Sequence, residues 1–147
     1  MPPDGPVITG RCYCGASRIA ADKAPDTVAY CHCQDCRRIT GAPAPAFAAF
    51  AAFGKGHLRL DPMRRAAKPV NPGVTRWFCP DCGSALMAQF DYLPDQLYVP
   101  LGILDQANAL EPVIHCHADS ALSWVHMHSD TPQAPGSART TLKGSRA

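Results

Sequence analysis

The sequence predicts a mostly β protein with a single domain that is built around cysteine-ligated zinc. The chain has 147 residues, which is the usual size of one domain with one hydrophobic core. Its 15 prolines and 11 glycines divide it into short segments, which favour strands and turns over long helices. Its eight cysteines fall mostly in close groups, which in a reducing compartment is typical of metal ligands.

Short strands are predicted between the proline and glycine positions. They cover residues 7–11, 17–20, 27–31, 57–60, 76–78, 84–90, 97–104 and 113–117. After Cys36 we expect one helical turn at most, because Gly41, Pro43 and Pro45 end it. Residues 61–73 are predicted to form a proline-rich loop.

The segment 46–53 has two interpretations. Phe47, Phe50 and Phe53 are spaced by three, which fits a helix face, and the alanine content agrees with a helix. Prolines before the segment and glycines after it fit a buried strand between turns. We favour the strand.

The predicted domain spans residues 10–130. Residues 1–9 form an N-terminal extension, and residues 131–147, rich in Pro, Gly, Ser and Thr, are predicted to be a disordered tail. The first ten residues do not resemble a secretory signal, so we expect a cytoplasmic protein. No segment is apolar enough to span a membrane, and a net charge of +2 gives no reason to expect nucleic acid as a partner.

Seven cysteines form three groups along the chain: Cys12 and Cys14, then Cys31, Cys33 and Cys36, then Cys79 and Cys82. Zinc takes four protein ligands in a structural site and keeps one position open in a catalytic site. We therefore predict that the first and last groups bind one structural zinc; they are called the four-cysteine cluster below. Cys31, Cys33 and Cys36, the three-cysteine cluster, would bind a second zinc and leave its fourth position to water or substrate.

Local geometry supports each pair of ligands. Residues i and i+2 of an extended segment point to the same face, so Cys12 and Cys14 can present both sulfurs to one ion. Cys79 and Cys82 need a tight turn, and Gly83 is able to take the positive φ at its end.

The spacing alone leaves other arrangements of the seven thiols open. The three-cysteine cluster can lend one ligand to a different four-cysteine site. All seven cysteines can be structural or hold an iron–sulfur cluster, although the usual ferredoxin spacings are missing. Disulfides are the remaining alternative.

Three cysteine motifs follow one another along the chain: Gly10-Arg11-Cys12-Tyr13-Cys14-Gly15, then Cys31-His32-Cys33-Gln34-Asp35-Cys36-Arg37 with Gly41, then Arg76-Trp77-Phe78-Cys79-Pro80-Asp81-Cys82-Gly83. In this order they resemble the signature of the glutathione-dependent formaldehyde-activating enzyme family, which also includes centromere protein V. The similarity runs over about residues 10–124. It implies a mostly β fold called a β-tent, and two zinc ions per chain, one structural and one catalytic.

The resemblance also implies an activity. Members of the family act as carbon–sulfur lyases that join the thiol of glutathione to formaldehyde, giving S-hydroxymethylglutathione. Cys31, Cys33 and Cys36 would then be the catalytic residues through the zinc they hold. Three thiolates leave the site with a net charge of about −1, so we favour a zinc that binds the thiol over one that polarises the aldehyde. The expected partners are glutathione and an aldehyde.

A second class of function is a binding or scaffolding module. Both zincs would then be structural, and the surface would recruit a protein or nucleic acid. Only the weakly basic tail argues for nucleic acid.

Several residues near the motifs have two interpretations. Arg37 and Arg38 can offset the charge of the three-cysteine cluster or bind a glutathione carboxylate, but a solvated surface pair fits equally well. His32 is expected to point away from its cysteine neighbours and not to bind metal.

The C-terminal histidines and the tryptophans are interpreted in the same way. His115 and His117 are predicted to face solvent and Cys116 the core, although these residues, like His126 with His128, can also hold a metal. Core positions are predicted for Trp77, Phe78 and Trp124.

Overall fold

The computed structural model describes residues 7–54, 57–61 and 67–137. These residues form ten strands, one α-helix and three short 3-10 helices. The strands are β1 (Ile8–Arg11), β2 (Arg18–Ala21), β3 (Thr27–Cys31), β4 (Ala46–Ala51), β5 (Arg59–Asp61), β6 (Ala67–Asn71), β7 (Val74–Phe78), β8 (Ala85–Phe90), β9 (Gln96–Pro100) and β10 (Ile114–Cys116). The helix α1 covers Gln34–Thr40, and the 3-10 helices cover Leu101–Ile103, Ala107–Ala109 and Ala118–Ser120. The predicted mostly β fold is confirmed.

The strands form two sheets. The smaller sheet has the order β1-β2-β5, and the larger has the order β10-β3-β4-β9-β8-β7-β6. All the pairings are antiparallel except that of β10 with β3, which is parallel. Short turns join β1 to β2 and the successive strands from β6 to β9, as the many prolines and glycines led us to expect.

The hydrophobic core lies between the two sheets. Ile8, Ile19 and Leu60 of the smaller sheet belong to the same buried cluster as Phe50 and Val99 of the larger sheet. Two of the predicted zinc ligands, Cys12 and Cys79, are buried in this cluster as well.

Segment 46–53 forms the strand β4 over most of its length, which confirms the interpretation we favoured. Phe47 and Phe50 lie on opposite faces of the sheet because side chains alternate along a strand. Phe50 is in the core between the sheets, whereas Phe47 lines a cleft with residues of β7 and β8. The spacing by three therefore reflects burial on both faces of a strand, and Phe53 is exposed.

The helix α1 is longer than predicted. As predicted, the helix makes only about one turn after Cys36 and ends at Gly41, but it already begins at Gln34 and covers seven residues in all. Cys33 is the N-cap and its sulfur accepts a hydrogen bond from the N–H of Cys36, at 3.2 Å. Gly41 ends the helix with φ of 74°, in the left-handed region that favours glycine.

Other boundaries differ as well. The predicted loop 61–73 contains β6, which has Pro69 without an N–H; this is tolerated because β6 is an edge strand. Residues 62–66 of that loop lie outside the described residues.

The predicted strand 97–104 ends at Pro100 and continues as a 3-10 helix. The predicted strand 113–117 ends at Cys116, since His117 has a left-handed φ of 52°.

Part of the predicted disordered tail is packed against β10. The N–H of His115 donates to Pro132, and the N–H of Ala134 donates back to His115, at 2.9 and 2.8 Å. Ala134 is only 1% exposed and contacts Ile114 and Cys116 in a small second cluster. Disorder is therefore wrong for residues 131–137, and the prediction for residues 138–147 lies outside the described residues. Similarly, β1 begins at Ile8, inside the predicted N-terminal extension, of which residues 1–6 are not described.

In the described part of the chain, no helix is long and apolar enough to cross a membrane.

Candidate metal centres

The four-cysteine cluster joins the two sheets. Cys12 and Cys14 follow β1 of the smaller sheet, and Cys79 and Cys82 follow β7 of the larger one. The four sulfurs all lie within 4.8 Å of one another. The Sγ atom of Cys14 is 3.5 Å from that of Cys12 and 3.7 Å from that of Cys79. The structure thus brings together the four residues that the sequence grouped.

Two tight turns position these sulfurs. Cys14 lies in a turn after β1, so the predicted extended geometry is wrong for this pair. In the second turn the N–H of Gly83 donates to the carbonyl of Cys79 at 2.8 Å, and Gly83 has the positive φ predicted, 80°. Ser84 links the turns, because its hydroxyl accepts from the N–H of Tyr13 and contacts the sulfur of Cys82.

Three thiols of this cluster have shifted pKa values. Burial raises the pKa of Cys12, but hydrogen bonds from Ser17 and from neighbouring thiols outweigh it and lower the pKa. Hydrogen bonds from Ser84 lower the pKa of Cys82 to about 6. A backbone hydrogen bond at Ala16 lowers the pKa of Cys14, but the neighbouring thiols and desolvation raise it to about 12. Negative charge is therefore favoured in the cluster, as a bound cation requires.

The three-cysteine cluster forms where β3 leads into α1. Cys31 ends β3, Cys33 caps the helix, and Cys36 lies in its first turn. The Sγ atom of Cys31 is 3.4 Å from that of Cys33 and 3.2 Å from that of Cys36. Cys31 and Cys33 are half-buried and Cys36 is buried, so the cluster is open on one side.

Hydrogen bonds among the three thiols of this cluster shift their pKa values in opposite directions. Hydrogen bonds from Cys31 and Cys36 lower the pKa of Cys33 to about 2. Hydrogen bonds with Cys33 and Cys36, together with burial, raise the pKa of Cys31. The bond with Cys31 lowers the pKa of Cys36, but the bond with Cys33 and burial raise it to about 11. The lowered pKa of Cys33 favours a negative charge in the cluster.

Both clusters fit a tetrahedral metal ion with thiolate ligands. Ligands about 2.3 Å from a zinc ion at the centre of a tetrahedron lie about 3.8 Å apart. Four of the sulfur–sulfur distances, two in each cluster, are 3.2 to 3.7 Å and thus close to this spacing. Soft thiolates select zinc and similar ions over hard cations. The first cluster offers four ligands and the second offers three.

Arg76 opens the third cysteine motif, but the sequence did not reveal that it lies at the second site, beside Cys36. It lies in the middle of β7, is only 6% exposed, and its Nη2 atom is 4.0 Å from the Sγ atom of Cys36. Its guanidinium also lies over the ring of Phe90, 5.6 Å from the centroid. A signal was present, because Arg76 is a charged residue in a strand of otherwise apolar and β-branched residues.

Tyr92 is close enough to sense the charge of the same cluster. Partial burial raises the pKa of its hydroxyl, and the charges on Cys31, Cys33 and Cys36 raise it further. Its ring packs at a tilt against that of Phe90, with 5.9 Å between the centroids. Tyr92 is largely exposed.

Behind the cluster lies a buried pair of histidines. The Nε2 atom of His32 is 2.8 Å from the Nδ1 atom of His115, and the ring of His115 stacks on that of Tyr30. Both histidines are buried, and desolvation lowers both pKa values, so both rings are neutral at pH 7. His32 does not join the cysteine clusters, as predicted. The prediction that His115 faces solvent is wrong.

The remaining candidates lie elsewhere. Among the described residues, the histidines and cysteine at 115–117 and the pair His126 and His128 form no group of three metal-binding side chains. Cys116 is buried, as predicted, and pairs in register with Cys31 across β10 and β3. Arg38 is exposed. Trp77 packs against the core, whereas the predicted core position of Trp124 is wrong, because 62% of it is exposed.

Together, the fold and the two thiol clusters define a mostly β protein whose cysteines are arranged to hold metal. A sequence profile of the family described as glutathione-dependent formaldehyde-activating enzyme matches residues 7–120. The chain belongs to this family, as the cysteine motifs indicated. A crystal structure of a Rhodobacter sphaeroides protein is similar over 86% of this chain and 99% of that one, with 22% identity and a TM-score of 0.49. No curated protein sequence matches the chain.

Proposed function

We propose that this protein is a zinc-dependent carbon–sulfur lyase, which promotes adduct formation between glutathione or another thiol and formaldehyde or a related aldehyde. The observation that carries the proposal is the three-cysteine cluster. Its sulfurs lie within 4.8 Å of one another, and no other Cys, His, Asp or Glu of the described chain joins the group. Family membership supports the choice of thiol and aldehyde.

The chain's own residues have separate tasks in this mechanism. Cys31, Cys33 and Cys36 would hold the catalytic zinc, which when bound would supply a positive centre that lowers the pKa of an incoming thiol. The N–H of Cys36 donates to the sulfur of Cys33 and fixes its position. Cys31 and Cys33 are only half-buried, so reactants could approach the cluster from that side, and holding the thiol and the aldehyde close together there would lower the entropic barrier to addition.

The four-cysteine cluster has a structural role in this proposal. Its four thiols would supply all four ligands of a zinc ion and leave it no open position, and they connect two turns that lie on different sheets. A zinc ion there stabilises the packing of the sheets and takes no part in the chemistry.

The test is exchange spectroscopy by NMR on a mixture of formaldehyde and glutathione. Zinc-loaded wild-type protein is expected to speed interconversion with the adduct above the buffer rate. Cys33→Ser removes one ligand of the three-cysteine cluster, so we expect exchange at the buffer rate and loss of one of two zinc ions. Cys116→Ser is the matched control, because Cys116 is a buried cysteine beside Cys31 that lies outside the cluster.

Two results would count against the proposal. If wild-type protein with two bound zinc ions leaves the exchange at the buffer rate, the chain does not perform this reaction, and a binding module becomes the better hypothesis. If Cys33→Ser loses its second zinc but retains full activity, the three-cysteine cluster is not the catalytic site.

A further inference from the structure

We propose that Arg76 balances the charge of the three-cysteine cluster and thereby allows the cluster, when it holds a divalent metal, to accept an anionic thiolate at its fourth position. This inference rests on the proposed function. It assigns Arg76 as a positioning residue, which acts by its charge and is not itself a metal ligand.

The surroundings of Arg76 show what its charge interacts with. Its Nη2 atom contacts the sulfur of Cys36, and the ring of Phe90 covers the guanidinium. Among the residues that the structure describes, no Asp or Glu forms an ion pair with Arg76. The guanidinium is always charged at neutral pH.

A buried cation of this kind needs an anion nearby. Burying a charge without a partner costs several kcal/mol, so buried arginines are paired. Since no carboxylate in the described part of the chain pairs with Arg76, the anion is the thiolate cluster that it contacts. The charge on Arg76 in turn lowers the pKa of Cys36, although the neighbouring thiol and burial outweigh this effect.

The position of Arg76 beside Cys36 follows from the pairing of β7 with β8 and from the packing of α1. Arg76 pairs with Ala88 on β8, on the sheet face opposite the core. Ile39 and Thr40, near the end of α1, line a cleft on this face together with Arg76. The helix therefore carries Cys36 over Arg76 and at the same time shields the guanidinium from water.

The net charge of the metal-loaded cluster shows why a nearby positive charge matters. Three thiolates and one divalent cation have a net charge of −1, and an incoming thiolate would bring it to −2. A fixed positive charge next to one of the sulfurs offsets this repulsion. In a site that is partly shielded from water, one such charge changes the affinity for an anion by about tenfold or more.

The experiment uses cobalt(II) in place of zinc, because thiolate-to-cobalt charge transfer reports each bound sulfur by its absorption. The full-length protein is loaded with two equivalents and titrated with 2-mercaptoethanol, a thiol that has no carboxylate. A loss of affinity in the Arg76 variants therefore cannot come from a lost contact between arginine and a carboxylate of the ligand. The four-cysteine cluster has no open position and provides an internal reference for folding.

The neutral variants Arg76→Met and Arg76→Gln are expected to bind 2-mercaptoethanol about tenfold or more weakly than wild type. Arg76→Lys keeps the charge and should recover most of the affinity. Arg38→Met is the matched control, because it removes an exposed positive charge from the helix that carries Cys36, and it should behave as wild type. Two neutral variants are included, so the test can still be made if one of them fails to fold.

The outcomes separate the two proposals. If wild type binds two cobalt ions and both neutral variants bind the thiol as wild type does, Arg76 has no charge-balancing role, while the proposed function stands. The same conclusion follows if Arg76→Lys is as weak as Arg76→Met. If wild type binds only one cobalt ion, the three-cysteine cluster is not a metal site, and both proposals fail.

Discussion

At the scale of single residues, the buried pair of His32 and His115 gives the sharpest prediction. His115→Phe keeps a ring that can stack on Tyr30 but leaves the Nε2 atom of His32 buried without its partner. We expect the free energy of unfolding to fall by roughly 1–3 kcal/mol, the cost of a buried polar group that loses its hydrogen bond. Urea unfolding of the metal-loaded protein at pH 7.5 measures this change.

A double-mutant cycle tests the cause. When both His32 and His115 are replaced by Phe, no polar group is left unpaired, so part of the loss should be recovered. Additive losses would mean that the hydrogen bond between the rings does not contribute to stability.

The residue scale also shows what sequence can and cannot predict. Each group of cysteines lies within one turn or one strand-to-helix junction, so local spacing is sufficient to predict that its sulfurs meet. Arg76 reaches Cys36 from 40 positions away, and His115 reaches His32 from 83 positions away. These contacts depend on strand order and on the packing of α1, which one sequence does not reveal.

At the scale of elements, Gly10 sets how closely β1 approaches the 3-10 helix Leu101–Ile103. A Cβ atom at Gly10 would lie 2.6 Å from the carbonyl oxygen of Ile103, and backbone cannot move aside cheaply. We therefore expect Gly10→Ala to lower the free energy of unfolding by about 1–3 kcal/mol, as overpacking commonly does. The matched control is Gly102→Ala, one residue from the same carbonyl, where a Cβ meets nothing within 4 Å. Equal thermal midpoints for both variants would contradict this prediction.

Most elements were predictable because prolines and glycines mark their ends. β3 begins and ends where its sequence predicted, and β4 is correctly a strand. The errors have physical causes. β6 was hidden by Pro69, which an edge strand tolerates, and α1 gained its first turn because the sulfur of Cys33 caps it.

At the scale of the whole molecule, the order of the sheets follows from long-range pairings. The parallel contact of β10 with β3 joins residues near the end of the chain to the strand that carries Cys31. Residues 131–137 then extend this edge, so a segment with a disordered composition gains a packed position. Composition reports the cost of ordering a segment, but it does not report the surface that is available to bind it.

The last prediction separates the two clusters by their effect on global stability. Cys14 and Cys79 are 65 positions apart and lie in turns of different sheets, so a metal bound to the four-cysteine cluster cross-links the whole fold. Structural zinc contributes roughly 10–16 kcal/mol to folding in small zinc-binding peptides. We therefore expect Cys79→Ser to abolish cooperative thermal unfolding or to lower its midpoint far more than Cys33→Ser does. Circular dichroism with metal analysis measures both effects, and Cys33→Ser is the matched control because all three cysteines of its cluster lie within residues 31–36. Equal losses in the two variants would show that the clusters do not divide structural and catalytic roles between them.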